Sequence, residues 1–234
     1  MDVISNNIAN INTPGYKERE TTFADLLYQL TNPPSFSQAP LALGSGTRLA
    51  STSRNFSQGS LQSTGRSLDI AIEGQGYLQV INGNATAYTR AGSLSLGPNG
   101  ELMTASGFVL SPRINVPQGT DEIKIGQDGT VFAVQNGNLN RIGQIQLANF
   151  ANPNGLETAG DNLFIETAQS GQANTAVPGI AGFGRINQGY LESSNVDLAR
   201  QMTNMIIGQR AYELSSRAIK VADEMLSIAN NIRR

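Results

Sequence analysis

Apolar residues recur with a helical period only at the two ends of the chain. Toward the C-terminus, Ile207, Ala211, Leu214, Ala218, Val221, Met225, Ile228 and Ile232 alternate spacings of four and three, a heptad seam with every position apolar. Leu198, Met202, Met205 and Tyr212 widen the apolar surface, while Arg200, Arg210, Glu213, Arg217, Lys220 and Glu224 occupy other faces. Asn195 reads as the N-cap, with Asp197 near the positive end of the helix dipole. The pattern predicts one helix over 196–231, roughly 54 Å long at 1.5 Å per residue, beyond the reach of a small compact domain. Such a helix calls for a helical partner.

At the other end, Ile4, Ile8 and Ile11 sit at helical spacing in and just before "SNNIANINTPGYK", residues 5–17. Asn6, Asn7, Asn10 and Asn12 crowd between them and would weaken a helix by about 2 to 3 kcal/mol relative to alanine. A lone helix over 1–12 is marginal in water, so both chain ends are expected to order largely on assembly. The asparagines are then expected to hydrogen-bond between copies and fix register, as a buried asparagine does in coiled coils. Solvated asparagines without partners are the competing reading. Thr13-Pro14-Gly15-Tyr16 forms the exit: proline drives Thr13 out of the helical region, and Gly15 suits the third position of a type II turn.

The middle of the chain changes period. "LDIAIEGQGYLQV" alternates apolar and polar positions around a break at Gly74 and Gly76. "AYTRAGSLSLGPNGELMTASGFVL" turns at Pro98-Asn99-Gly100, "IKIGQDGTVFAV" turns at Asp128-Gly129, and "GQIQLANF" and "NLFIET" add further strands. Repeated short strands with such turns predict an antiparallel β domain. Ahead of it, residues 32–67 are rich in Pro, Ser, Gly, Gln and Thr and read as an extended connector with short strands, anchored by Phe36, Leu41, Leu43, Leu49, Phe56 and Leu61, with full disorder the competing reading. The expected fold class is α+β: a central antiparallel β domain with N- and C-terminal α-helices pairing as a coiled-coil core domain.

Composition narrows the chemistry. At 234 residues the chain can bury a core without covalent staples. A net charge of -2 with 15% charged residues gives no field for nucleic acid. Cysteine, histidine and tryptophan are absent, which removes disulfides, thiolate chemistry, the commonest metal ligand and the usual general base. No apolar run approaches the roughly 18 to 20 residues of a membrane span, and no basic stretch leads into a hydrophobic block. "EGQGYLQ" lacks the third glycine and the strand-to-helix setting of a phosphate loop. Asp69 with Glu73 and Asp121 with Glu122 have no nucleophile or metal ligand to serve. No catalytic residue, cofactor, metal site, nucleic-acid contact or membrane insertion is expected.

"SNNIANINTPGYK" resembles the N-terminal signature of bacterial flagellar rod and hook proteins, and "NQGYLESSNVDLARQMTNMIIGQRAYELSSRAIKVADEML", residues 187–226, resembles their C-terminal block. Between them, "LDIAIEGQGYLQV", "AYTRAGSLSLGPNGELMTASG" and "IGQIQLANFANPNGLE" are more similar to the distal rod branch than to the hook or proximal rod branches. The resemblance implies a non-enzymatic subunit of the flagellar basal body, exported unfolded through the flagellar type III apparatus. Its place would be outside the cytoplasmic membrane, in the periplasm or cell wall. It would polymerise through its terminal helices with copies of itself into a helical tube, the distal rod, which carries torque from motor to hook. Neighbouring rod and hook subunits and surrounding ring proteins would be its partners.

The same resemblance assigns residues 1–31 and 190–234 to a discontinuous helical core domain, 32–67 to the connector and 68–189 to an outer β-rich domain. Ile4, Asn6, Asn7, Ile8, Asn10 and Ile11, with the seam from Ile207 to Ile228, become the expected assembly interface, and Thr13 to Tyr16 its turn. It further implies an apolar helical segment ahead of the position matched by Met1, supplying half of the inner coiled coil. Two other readings compete: another axial subunit of the same family, whether proximal rod, rod-like or hook, and a cell-wall hydrolase. The missing histidines and undistinguished carboxylates argue against the hydrolase.

Overall fold

The alternating middle of the chain folds into antiparallel sheet throughout. A computed structural model describes residues 1–26, 28–31, 41–44, 46–83, 85–180 and 182–232. Its largest sheet has nine strands. Tyr77–Asn82 lies at the centre, pairing with Ala85–Thr89, Val109–Ser111 and Leu147–Asn149. Leu94–Leu96 pairs with Leu102–Thr104 across the turn expected at Gly100, and Glu122–Ile125 with Thr130–Gln135 across Asp128-Gly129. At the latter turn the Asp128 carboxylate accepts from the Thr130 N–H and hydroxyl, at 3.1 and 2.6 Å. Gly74 and Gly76, both at positive φ, turn the chain between Ile70–Glu73 and Tyr77–Asn82.

The core sits between these strands. Ile70, Ile72, Leu78, Leu94, Leu102, Leu110, Ile145, Leu147 and Ile186 form its centre, each at most 2% exposed. Tyr77, Tyr88, Phe150 and Phe164 make an aromatic cluster beside it, with rings meeting edge to face. Phe56 packs on Tyr77 and Phe164 with ring centroids 6.1 and 5.5 Å away, so this expected anchor does hold the chain to the domain. Among the described residues no terminal helix contributes to any of these clusters. The β domain therefore has a core of its own.

Between the N-terminal helix and the domain the connector carries short strands, and these pair with residues 19–31 ahead of it. Arg19–Asp25 pairs with Thr47–Arg54 in an antiparallel ribbon, extended by Tyr28–Thr31 with Leu41–Gly44. Nearly every side chain from 19 to 25 and from 47 to 54 is exposed, on both faces. That explains why period-two alternation is missing from "RETTFAD" and "TRLASTSR": with no buried face, nothing selects apolar residues at every second position. Phe23 and Leu49 are register partners, and both are exposed. Residues 32–40 and 45, with the expected anchor Phe36, lie outside the described residues, as do the side chains of Leu41 and Leu43.

The two helices are unequal. α1 spans Asp2–Ala9 and ends three residues short of the expected limit. α2 spans Leu198–Ile232, 35 residues or roughly 52 Å, close to the expected 196–231.

Candidate assembly interface

α1 stops at Ala9 because Asn10 caps it. The Asn10 side-chain amide donates to the Asn6 carbonyl at 2.8 Å, and its own carbonyl oxygen accepts from the Thr13 hydroxyl at 3.2 Å. The Thr13-to-Tyr16 turn forms as expected, with the Tyr16 N–H donating to the Thr13 carbonyl at 3.2 Å and Gly15 at φ 71°. The turn lies flush on the β domain: a Cβ on Gly15 would come within 2.7 Å of the Arg90–Ala91 peptide. The Gly15 N–H donates to the Glu192 carbonyl at 2.8 Å, and the Asn162 amide to the Pro14 carbonyl at 3.2 Å.

The asparagines behave differently from one another. Asn7 is buried within the chain, where its amide imitates a β-strand edge: it donates to the Arg19 carbonyl at 2.9 Å and accepts from the Arg19 N–H at 3.0 Å. It also donates to Gln201 Oε1, on α2, at 3.4 Å. The Tyr16 hydroxyl shares its proton between Asn6 Oδ1 at 2.8 Å and Asn7 Oδ1 at 3.2 Å. Expected at a contact between copies, Asn7 instead ties α1 to the ribbon and to α2. Asn6 and Asn12 are exposed, and Ile4, Ile8, Asn10 and Ile11 are half-buried.

Lys17 and Glu18 were absent from the expected site, yet they rivet the parts together. Successive residues of an extended segment point to opposite sides. Lys17 turns inward and donates to the Glu192 carboxylate at 2.6 Å and the Ser57 carbonyl at 2.7 Å, with neither charged side chain exposed. Arg90 meets the other Glu192 oxygen at 3.3 Å, and the Gly59 N–H donates to the first at 2.9 Å. Glu18 turns the other way, accepting from the Gln201 amide at 2.6 Å and from the Arg200 guanidinium. Burial pushes the Lys17 ammonium below its ordinary pKa against the pull of Glu192, and pushes Glu18 up against the pull of Arg200. Lys17 and Glu192 are 175 residues apart, so no local pattern could have paired them.

One expectation at this junction is corrected. Asn195 does not cap α2; Asp197 does, its carboxylate accepting from the N–H groups of Ala199 and Arg200 at 2.9 and 3.2 Å. Asn195 is held elsewhere. Its Oδ1 accepts from the Glu18 N–H at 2.7 Å, while its amide donates to the Asn55 carbonyl at 2.8 Å and the Ser57 hydroxyl at 3.0 Å. N-terminal strand, ribbon and α2 thus converge on one side chain, and α2 leaves the body in a fixed direction.

Beyond the junction α2 presents apolar stripes between charged and polar ones. Asn7 faces Gln201, and Met1 lies against Gly208, where a Cβ would come 2.8 Å from the Met1 sulfur; α1 therefore runs antiparallel to the first turns of α2. Past Gly208 the seam is exposed from Ala211 through Leu214, Ala218, Val221 and Met225 to Ile228, as is Ile207 before it. A second stripe, Met205, Tyr212, Ile219 and Leu226, recurs at sevens on a different side, its last three members 63 to 78% exposed. Ile219 and Leu226 were not singled out from the sequence, although their heptad spacing was there to find. Both stripes are exposed in the single chain. Pairing of the two helices within one chain reaches only the first turns of α2.

Among the described residues no helix is long and apolar enough to cross a membrane, and no three metal-ligating side chains cluster.

Comparison with known proteins matches three separate segments of the chain. Residues 1–17 match the family described as flagella basal body rod protein, 71–133 the flagellar hook protein FlgE/F/G D1 domain, and 187–232 the flagellar basal body rod FlgEFG protein C-terminal region. The ribbon falls between the first two matches. Over its whole length the chain is 43% identical to the flagellar basal-body rod protein FlgG of Borreliella burgdorferi, covering 93% of that protein. FlgG of Caulobacter vibrioides is 42% identical over all of this chain and 93% of its own length. FlgG of Buchnera aphidicola from Acyrthosiphon pisum is 44% identical over 97% of this chain and 91% of its own.

Proposed function

We propose, because the chain belongs to the family of flagellar rod and hook proteins, that it is a structural subunit of the bacterial flagellar basal body, a distal rod protein that catalyses no reaction. The observation that carries its mode of action is the exposed, two-sided apolar surface of α2. Copies of the chain pack through α1 and α2 into a helical tube. Each Leu, Ile, Val or Met side chain buried there contributes about 1.5 to 3 kcal/mol, enough in sum to offset the ordering of the helix. The terminal helices pair as a coiled coil between and within copies. Residues 1–31 and 190–234 form the inner core, 32–67 the connector and 68–189 the outer domain.

The junction of Asn7, Lys17, Glu18, Asn195 and Glu192 holds α2 at a fixed angle to the β domain, so that torque passes from helix to wall without a hinge. An isolated two-stranded ribbon is marginal in water, and the exposed Phe23–Leu49 pair supports its lying against a neighbouring copy. Export through the flagellar type III apparatus delivers the chain to the periplasm or cell wall, beside other rod and hook subunits and the rings around them. Helical reconstruction of a native basal body tests this. The chain is expected in the distal rod with α2 on the inner wall; density for it in the hook, or with α2 pointing to solvent, would refute the proposal.

A further inference from the structure

Arg19 and Arg54 are cross-strand partners at the base of the ribbon. Asn7 takes both backbone groups of Arg19, so this pair exchanges no ladder bonds and its side chains stand at the closer of the two antiparallel spacings. Like charges directly opposite one another destabilise a sheet. The Arg54 guanidinium is stacked over Phe164 and Tyr16, 5.3 and 5.9 Å from the ring centroids, which orients its plane but supplies no acceptor. Burial, and after it the charge of Arg19, hold Arg54 below its ordinary pKa.

Arg54 is half-buried; the buried Arg90 meets the carboxylate of Glu192, and Arg200 that of Glu18. Neither Arg19 nor Arg54 has a side-chain hydrogen bond or an ion pair among the described residues. Both line a cleft of about 260 Å³ with Thr52, Ser53 and Asn154, and Glu157 stands in the lining outside ion-pair distance. Two guanidinium forks with open donors fit a carboxylate.

Complementary charge is present on α2. Asp223 and Glu224 are adjacent and exposed on α2, without an ion pair among the described residues, whereas Glu213 is engaged by Arg210 at 3.6 Å. We propose that the Arg19–Arg54 cleft receives a carboxylate of the Asp223–Glu224 pair from a second copy of the chain, locking the ribbon base of one subunit to the helix of the next. The contact rests on the self-assembly reading above and adds to it a specific ionic register, since a charge pair set across an apolar interface rejects shifted alignments.

The test is charge reversal and counter-reversal in the full chain, read as the concentration at which assemblies sediment, with circular dichroism melts verifying that each variant folds. Arg19→Glu with Arg54→Glu is expected to raise that concentration about tenfold, and adding Asp223→Arg with Glu224→Arg to bring it back. Should the reversed pair unfold the domain, Arg19→Gln with Arg54→Gln serves with the same expected direction. Assembly indifferent to the substitutions, or not restored by the counter-reversal, overturns the contact alone. An unaltered chain that never sediments refutes self-assembly, and the contact with it.

Discussion

Lys17 donates to Glu192 at 2.6 Å with both side chains fully buried, joining the N-terminal segment to the strand Tyr190–Glu192 that leads into α2. Arg90 shares the same carboxylate. Removing one partner of a buried pair strands the other, at about 3 to 5 kcal/mol. Lys17→Met leaves Glu192 with Arg90, whereas Glu192→Leu strands two cations at once. Urea unfolding should therefore rank Glu192→Leu as the more destabilising, and equal costs would mean that the three charges do not act as one network.

Gly15→Ala tests how closely the turn sits on the domain. Its φ of 71° costs a side chain about 1 to 2 kcal/mol, and the added Cβ also meets the Arg90–Ala91 peptide at 2.7 Å. Gly107 has a φ of 86° but open space around it. Thermal melts should show Gly15→Ala losing clearly more than Gly107→Ala, which carries the conformational cost alone.

Tyr77 and Tyr88 are both pushed up to about 12 by burial, from an ordinary value of 10.0, with Glu166 adding to the effect at Tyr88 and Arg90 opposing it at Tyr77. A raised phenol pKa means that the folded chain holds a proton which the unfolded chain gives up. The stability this contributes is complete below pH 10 and drains away as pH rises toward 12. A phenolate absorbance titration should show a late step near pH 12 that disappears in Tyr77→Phe with Tyr88→Phe.

Leu214→Asp puts a carboxylate in the middle of the exposed seam. Sedimenting assemblies should be lost, because a charge facing apolar neighbours is costly to desolvate. The melt of the β domain should stay within about 0.5 kcal/mol of the original, since among the described residues no α2 side chain belongs to its core. Normal assemblies from this variant would move the interface away from the seam.

The sequence was most readable where one physical rule dominates locally. The seam gave α2 to within two residues at its start, Pro14-Gly15 gave the turn, and Asp128-Gly129 and Asn99-Gly100 gave hairpins. Long-range pairing was illegible. Nothing in "YKE" says that Lys17 meets Glu192 or that Glu18 meets Gln201, 183 residues away. The ribbon hid for the opposite reason: with both faces exposed, it carries no burial pattern. At Asn195 and Asp197 two residues suited to capping lay close together, and the choice between them was made by Glu18, Asn55 and Ser57, which the local sequence does not contain. The asparagines of α1 likewise divided their roles by tertiary context, Asn10 as a cap and Asn7 as a surrogate strand edge.

The central claim is that α2 beyond Gly208 gains its stability from neighbouring copies. Amide hydrogen exchange along residues 205–225 measures this directly, compared between dispersed chain and assembled tube. The account predicts rapid exchange in the dispersed chain, beside slow exchange in the core strands Tyr77–Asn82 and Thr130–Gln135, and strong protection once assembled. Strong protection of residues 205–225 already present in the dispersed chain, or no gain on assembly, would contradict it.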